Sequence, residues 1–277
     1  MDSLRSVISL LSESDITYSY NNSIKIMKKQ RLNEWITVKD DDYADSQFKT
    51  TYRSTVKFCD WLEQLGVLNP KSECNILDIG TGKGANLYYM QQRFPNCQYN
   101  GIDVNNEYIE DGNAFFAIKK INNCKLEYGD LYNLDSEKYA NRFEGIISYQ
   151  TLSWLPEYEN ALDGLIKLNP DWISLTSLFY EGLIDAKIEI ISYKSPHDKN
   201  SFRTISYNTY SLPRIENFFF ERGYKVFRYC PFEIDIDISK PEDLYMQTYT
   251  QKLPDGKRLQ ISGPLLMNWF FIYAARM

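Results

Sequence analysis

The chain has 277 residues, of which 43% are hydrophobic and 25% are charged, a balance typical of a globular protein with a sizeable core. No run approaches the roughly 18 apolar residues of a membrane-spanning helix. The first residues lack the basic and apolar segments of a signal peptide, so we expect a cytoplasmic protein. The formal net charge of −6 argues against a broad nucleic-acid-binding face, because such a face needs basic residues to neutralise phosphates.

The five cysteines predict neither a disulfide framework nor a zinc site. Their number is odd, they are widely scattered, and none belongs to a Cys-x-x-Cys pair. We therefore expect most of them to be small buried hydrophobic residues. They are Cys59, Cys74, Cys97, Cys124 and Cys230.

The first 70 residues predict a helical extension ahead of the main domain. Asp45 and Ser46 suit the start of a helix whose apolar residues recur at spacings of three and four up to Leu65. Gly66 directly after them suits the C-terminal cap. The acidic stretch Lys39–Tyr43 lacks an apolar period and is predicted to be a loop.

From Asn75 onward, short apolar segments alternate with helical ones. Strands are predicted at 75–80, 99–103, 125–128, 143–149 and 171–178, and helices at 85–93, 107–120 and 160–168. Because consecutive parallel strands need a crossover, this alternation predicts a mostly parallel sheet with right-handed helical connections.

Beyond residue 180 the pattern predicts two insertions into this domain. Segments 187–193 and 202–207 are predicted to form a hairpin over the sheet. A helix at 212–222, a strand at 224–229, a cap at 231–267 and a last strand at 268–274 are predicted to follow. The predicted domains are therefore a helical extension at 1–70 and a main domain at 71–277, with insertions near 181–210 and 231–267.

The most informative element is the turn Gly80-Thr81-Gly82-Lys83-Gly84 after the first buried strand. Glycine there lets the main chain approach a ligand closely, and the helix that follows places free amide groups beside it. The pattern leaves alternatives open, because Gly80-x-Gly82-x-x-Ala85 also fits a loose dinucleotide fingerprint. A P-loop is disfavoured, since Lys83 is followed by glycine and not by serine or threonine.

Three aspartates accompany the ends of the first three strands. Asp78 lies inside the end of the first strand, where it would oppose a pyrophosphate but suit a ligand with ammonium and sulfonium charges. Asp103 ends the second strand, where a carboxylate can accept both ribose hydroxyls. Asp130, after the third, could accept from an adenine amino group. Considered alone, each of these two residues has a purely structural alternative: Asp103 as the cap of the following helix, and Asp130 as a residue that stabilises a turn.

The run Asp78–Gly84, followed by Asp103 and by Gly129-Asp130-Leu131, resembles the first three motifs of class I S-adenosylmethionine-dependent methyltransferases, over about residues 74–179. The resemblance implies a Rossmann-like α/β fold with a seven-stranded, mostly parallel sheet of order 3-2-1-4-5-7-6, in which strand seven is antiparallel. It implies S-adenosylmethionine as the cofactor, with Ser148 and Tyr149 flanking the reactive methyl group. The residues implied for cofactor binding are Asp78, Gly80, Thr81, Gly82, Gly84, Asp103, Val104, Asp130, Leu131, Ser148 and Tyr149.

The expected function is methylation of oxygen or nitrogen on a small-molecule or glycan acceptor, by alignment and exclusion of water. The segment Ser148–Leu152 lacks the Asn/Asp-Pro-Pro-Tyr/Phe motif of related nucleobase and glutamine enzymes. It also lacks the strand-end Asp of metal-dependent relatives, so we expect a metal-free enzyme. Tyr149, Gln150 and the single histidine, His197, are the candidate catalytic residues.

Other interpretations stay open at this stage. The chain could be a non-catalytic cofactor-binding or interaction protein, a nicotinamide-dependent oxidoreductase favoured by the loose glycine pattern, or an RNA methyltransferase. Tyr52 and Arg53 are candidates to close over the cofactor carboxylate, with a plain surface charge as the alternative for Arg53. Trp154 is a candidate to lie near the methyl group, with packing as its alternative. The sequence predicts neither the identity of the acceptor nor the oligomeric state.

Overall fold

The fold is built on one eight-stranded sheet, in a computed structural model that describes residues 41–193, 197, 202–240 and 246–276. Its strands are β1 (Asn75–Ile79), β2 (Gln98–Asp103), β3 (Cys124–Tyr128), β4 (Gly145–Tyr149), β5 (Trp172–Tyr180), the two-residue β8 (Tyr210–Ser211), β9 (Val226–Phe232) and β13 (Trp269–Ala275). The main path runs β3-β2-β1-β4-β5-β13-β9, and β8 pairs with the end of β5. Strands β1 to β5 are parallel, whereas β13 is antiparallel to both of its neighbours. The predicted order is confirmed, with β13 as the antiparallel seventh strand.

Helices cover both faces of this sheet, because each strand buries side chains on its two sides in alternation. The helices are α1 (Asp41–Lys49), α2 (Arg53–Gln64), α3 (Ala85–Arg93), α4 (Asn106–Lys119), α5 (Ser136–Tyr139), α6 (Glu159–Lys167) and α7 (Leu212–Glu221). Helices α2, α3 and α4 pack with Ile147 of β4 in one apolar core, and α6 and α7 pack with Ile146 in another. The predicted helix at 85–93 has the same bounds as α3.

The helical segment ahead of the sheet differs from its prediction. The single helix expected from Asp45 to Leu65 is broken at residues 50–52 into α1 and α2. Asp45 and Ser46 therefore lie inside α1 and do not cap it, and Asp41–Tyr43, predicted as a loop, form its first turn. Acidic residues favour a helix start, and the adjacent threonines 50 and 51 disfavour continuation. Gly66, in left-handed conformation after α2, is the predicted helix end.

The strand predicted at 224–229 lies two residues later, as β9. Tyr224 is instead buried, with its hydroxyl donating to the carbonyl of Pro170 at 3.0 Å. Pro231, expected to open the cap, belongs to β9 opposite Phe270. Proline is tolerated there because β9 is an edge strand, which has no neighbour on its outer side among the described residues.

The two predicted insertions are small antiparallel sheets. The hairpin is confirmed, as β6 (Glu189–Tyr193) pairs with β7 (Phe202–Ser206). The second contains β10 (Thr248–Lys252), β11 (Arg258–Ser262) and β12 (Leu265–Leu266).

All described residues belong to one compact unit, Asp40–Met277. Residues 1–40 of the extension predicted at 1–70 lie outside the described residues, and the division at residue 70 stays a prediction. Within residues 41–193, 197, 202–240 and 246–276, no helix has the length and apolar character needed to cross a membrane.

Candidate functional site

The carboxyl ends of β1, β2 and β4 meet at one edge of the sheet, and the glycine turn closes over it. The amides of Gly80 and Thr81 donate to the carbonyl of Ile102 on β2, at 2.8 and 3.2 Å. Gly80, Gly82 and Gly84 have φ values of 72°, 56° and 82°. Side chains disfavour this left-handed conformation, so the turn needs glycine at all three positions.

The three glycines differ in what surrounds them. A Cβ on Gly80 would lie 2.3 Å from Oγ1 of Thr151, and one on Gly84 would lie 2.9 Å from the ring of Phe116. Those two glycines therefore allow the protein to pack against itself. A Cβ on Gly82 would have no atom within 4 Å. Gly82 thus presents bare main chain to open space, as a cradle for a ligand requires.

Asp103 is held beside this cradle. Its Oδ2 accepts from the amide of Gly82 at 2.8 Å, and its Oδ1 accepts from the amide of Asn105 at 2.9 Å. Burial raises the pKa of Asp103, and the amides of Asn105, Gly82 and the half-buried Val104 oppose that shift. Each carboxylate oxygen keeps a second lone pair, so the group can still accept hydrogen bonds from the hydroxyls of a ligand.

Asp78 lies beneath the turn and is 0% exposed. Its Oδ2 accepts from the hydroxyl of Thr81 at 2.8 Å, while its Oδ1 has no hydrogen-bond partner among the described residues. Burial raises the pKa of Asp78 to about 8, with the Thr81 hydroxyl lowering it and Asp103 raising it. A buried oxygen without a partner is costly, and a cationic donor would satisfy it.

Asp130 is engaged with its own turn. Its Oδ1 accepts from the amide of Tyr132 at 2.9 Å, and its Oδ2 accepts from Nδ2 of Asn133 at 2.5 Å. It therefore caps the short 3₁₀ helix Leu131–Asn133, of which Leu131 is half-buried. Roles for Asp130 and Leu131 in ligand binding stay predictions.

The end of β4 supports the turn from the other side. Ser148 Oγ donates to the carbonyl of Ile79 at 2.6 Å. The Tyr149 hydroxyl lies 3.7 Å from Sδ of Met90, and its ring packs edge-on against Phe58. Burial raises the pKa of Tyr149 well above its ordinary value, which opposes a role as a base. Its catalytic assignment stays a prediction that this environment does not favour.

Gln150, directly after β4, has an uncommon backbone conformation, and its catalytic assignment stays a prediction. Its φ of 57° is uncommon for a residue with a side chain, and its amide donates to the carbonyl of Thr176 at 2.9 Å. Its side chain is partly exposed and makes no hydrogen bond to the described residues. Left-handed residues held this way cluster at functional sites.

The other sequence candidates are spread apart. His197 is exposed in the connection between β6 and β7, next to residues outside the described ranges, so its role as a base stays a prediction. Trp154 packs its ring 4.8 Å from that of Tyr207, which matches the packing alternative. Arg53 forms an ion pair with Asp235 after β9.

Lys83 has a role that the sequence did not suggest. Its side chain is 6% exposed, and its Nζ lies 2.9 Å from Oδ1 of Asp45 on α1 and 2.9 Å from Oδ2 of Asp111 on α4. It ties the glycine turn to both helices. The partners are 38 and 28 residues away, so no local pattern indicates them. Across the described ranges, no group of three His, Cys, Asp or Glu residues could hold a metal ion.

Comparisons with known proteins agree with this geometry. Residues 70–193 match the family model of a methyltransferase domain. The uncharacterized protein RP028 of Rickettsia prowazekii is 33% identical over 111 residues, which are 39% of this chain and 44% of that protein. The chain thus matches less than half the length of this curated relative.

Solved structures share the fold. The N-terminal domain of EvdMO1 with SAH bound has a TM-score of 0.54 at 10% identity, over 93% of this chain and 97% of that one. At this identity the likeness concerns the fold alone. PKMT2 from Rickettsia typhi is 26% identical over 42% of this chain and 24% of that one, with a TM-score of 0.36.

The pKa of Asp78 predicts an unusual pH dependence of stability. The folded state keeps a proton on Asp78 up to about pH 8, whereas the unfolded state loses it near the ordinary value of 3.8. Asp78 therefore lowers the free energy of unfolding as the pH rises through this interval. Asparagine does not titrate, so Asp78→Asn should remove that loss.

Urea unfolding at about pH 5 and about pH 9 measures the effect. The measured quantity is the free energy of unfolding of Asp78→Asn minus that of wild type. We expect this difference to be larger at about pH 9 than at about pH 5 by roughly 2 kcal/mol or more. Any packing cost of the substitution cancels in this difference. Asp255→Asn, at an exposed turn, is the control. The same pH dependence in wild type and Asp78→Asn would contradict the raised pKa.

Proposed function

We propose that this chain, whose residues 70–193 match the family model of a methyltransferase domain, is a class I methyltransferase that binds S-adenosylmethionine at the carboxyl edge of β1, β2 and β4 and methylates a small neutral acceptor or glycan. The open space at Gly82, beside the carboxylate of Asp103, is the observation that carries this proposal. It is a position where a ligand can touch bare main chain and find a hydroxyl acceptor within the same turn.

The residues present fit this cofactor better than a nicotinamide dinucleotide. Asp103 can accept the two ribose hydroxyls with its remaining lone pairs. Oδ1 of Asp78 lacks a partner, and an ammonium or sulfonium group nearby favours the ionised carboxylate. A pyrophosphate would instead oppose ionisation of Asp78 and would offer no donor to its Oδ1. The oxidoreductase alternative is therefore disfavoured.

S-adenosylmethionine supplies a methyl group already activated by a sulfonium. The chain has to align the acceptor and exclude water, which can contribute up to roughly 7–11 kcal/mol. Gln150 borders the methyl position with a free amide side chain on a fixed backbone. The hydroxyl of Tyr149 is buried and hard to ionise. Alignment is therefore the main contribution that we assign to these residues, without a metal.

The acceptor site extends from β4 towards the cap through aromatic contacts. The ring of Tyr207 packs against that of Trp154 at 4.8 Å and against that of Trp269 at 6.2 Å. A Cβ on Gly263, in the cap, would lie 3.5 Å from the Tyr207 ring. Trp154, three residues after Thr151, thus connects the glycine turn to the cap.

Two buried polar atoms in this region have no partner among the described residues. Nε1 of Trp269, at the start of β13, is a donor, and Oε1 of Gln260, on β11, is an acceptor. The side chains are 5% and 4% exposed. A hydroxyl-bearing neutral molecule can accept from the indole and donate to the amide oxygen. The acidic net charge disfavours RNA as the acceptor.

Calorimetric titration tests the cofactor. We expect binding of S-adenosylmethionine and S-adenosylhomocysteine with dissociation constants of roughly micromolar order, and no binding of NAD. Binding of NAD alone would return the oxidoreductase interpretation. Binding of the sulfur cofactors without turnover on any acceptor would favour a non-catalytic protein.

Gly82→Val distinguishes a role of Gly82 in ligand binding from a role in stabilising the fold. Valine at this φ costs about 1–2 kcal/mol of stability and fills the open space, so we expect the affinity for S-adenosylhomocysteine to fall by about 100-fold or more. Gly256→Val is the matched control, since Gly256 is also left-handed with no atom within 4 Å but lies between β10 and β11. Calorimetry and urea unfolding read out the two effects. Equal affinities in both variants would argue against the cradle.

The acceptor class is tested by S-adenosylhomocysteine production from three sets of small molecules: neutral phenols and glycosides, carboxylic acids, and amines. We expect turnover in the neutral set. Trp269→Phe and Gln260→Leu should each raise KM about 5- to 10-fold, because one hydrogen bond is lost. Trp172→Phe, at the opposite end of the β5–β13 ladder, is the control. Turnover of charged molecules alone would refute the neutral site.

A further inference from the structure

Cys74 and Cys97 lie side by side at the amino-terminal edge of the sheet, opposite to the cofactor edge. Cys74 directly precedes β1 and Cys97 directly precedes β2. The parallel register pairs Asn75 with Gln98, so the two cysteines face each other one step earlier. The amide of Gln98 donates to the carbonyl of Cys74 at 2.9 Å, which holds the two chains together at this point.

The two sulfur atoms are 3.3 Å apart. A disulfide bond is about 2.05 Å long, so the sulfurs need to approach by little more than about 1 Å. Neighbouring strands lie about 4.8 Å apart, within the Cα separations of about 4.4–6.8 Å that disulfides span. Side-chain rotation can therefore close the bond without rearrangement of the sheet.

The environment of the pair favours reaction at one thiol. Either sulfur can donate the hydrogen bond between them. This hydrogen bond lowers the pKa of Cys97 to about 7, against the effect of burial, and raises the pKa of Cys74, so Cys97 is the thiol that ionises first. Cys74 is half-buried and Cys97 is fully buried, so the pair is open to solvent on the side of Cys74. By contrast, burial alone raises the pKa of Cys124 to about 12.

We propose that Cys74 and Cys97 are a redox pair that peroxide converts into a disulfide. The Cys97 thiol gives its proton to solvent, and its thiolate attacks one oxygen of hydrogen peroxide, which gives a sulfenic acid and hydroxide. The thiol of Cys74 then attacks the sulfenic sulfur, the S–S bond forms, and water leaves. The hydroxide takes up the proton released from Cys97, so two thiols lose two electrons and two protons, and hydrogen peroxide becomes two water molecules. A thiol reductant reverses the bond.

The disulfide joins residues 23 positions apart, and the loop that it closes contains β1, the glycine turn and α3. A cross-link across a loop of this length constrains the unfolded chain. Oxidation therefore stabilises the segment that carries Asp78 and Gly82 from the far side of the sheet.

The full-length protein treated with hydrogen peroxide tests the pair. Mass spectrometry of unreduced peptides should show Cys74 joined to Cys97 with the loss of two hydrogens. The midpoint of thermal unfolding should rise by about 5 °C and return with dithiothreitol. Cys124→Ser leaves both sulfur atoms of the pair in place. It should show the same cross-linked peptide and the same shift of the unfolding midpoint as wild type.

Cys74→Ser should abolish both the cross-link and the peroxide-induced shift, and Cys97→Ala is the second variant in case one fails to fold. Oxidation of either cysteine of the pair to sulfinic acid with no cross-linked peptide would overturn the proposal. So would a cross-link between any other two cysteines in its place.

Discussion

A backbone that turns left-handed three times within five residues is the constraint on which the carboxyl edge of the sheet depends. Only glycine adopts this conformation at low cost, and each glycine of the turn has a different use. Without a Cβ at Gly80, Thr151 can approach β1, and without one at Gly84, Phe116 and Leu126 can pack beneath α3. The amide of Gly82 donates to Asp103 and thereby orients its carboxylate. Ligand recognition and core packing therefore share one short segment.

The same edge buries two carboxyl groups where ionisation is expensive. Asp78 and Asp103 each have a raised pKa, mainly from desolvation, and Asp103 adds to the shift of Asp78. A fold selected for stability alone would place apolar or neutral groups here. The apolar cores on both faces of the sheet offset this cost. The arrangement is consistent with an edge shaped for a cationic ligand.

Periodicity was enough to predict β1 to β5 and the helix Ala85–Arg93, because these depend on local patterns. The strand order was implied by the resemblance to a known family. The direction of Tyr149 was predictable in principle. Strand alternation places it with Ile147, towards α2. The ion pairs of Lys83 and the contact of Cys74 with Cys97 could not be predicted from the sequence. They depend on helix docking and strand register between distant segments. The break at residues 50–52 was missed because an apolar period continues across it.

The ammonium of Lys83 makes α1 and the glycine turn parts of one thermodynamic system. Asp45 and Asp111 hold a side chain whose own backbone lies between Gly82 and Gly84, so the position of α1 and the shape of the turn are coupled. Coupling of this kind is reciprocal: a ligand that orders the turn strengthens the docking of α1 by the same factor by which docked α1 strengthens ligand binding. A molecule that binds docked α1 more tightly than undocked α1 would consequently strengthen ligand binding at the glycine turn, without touching it.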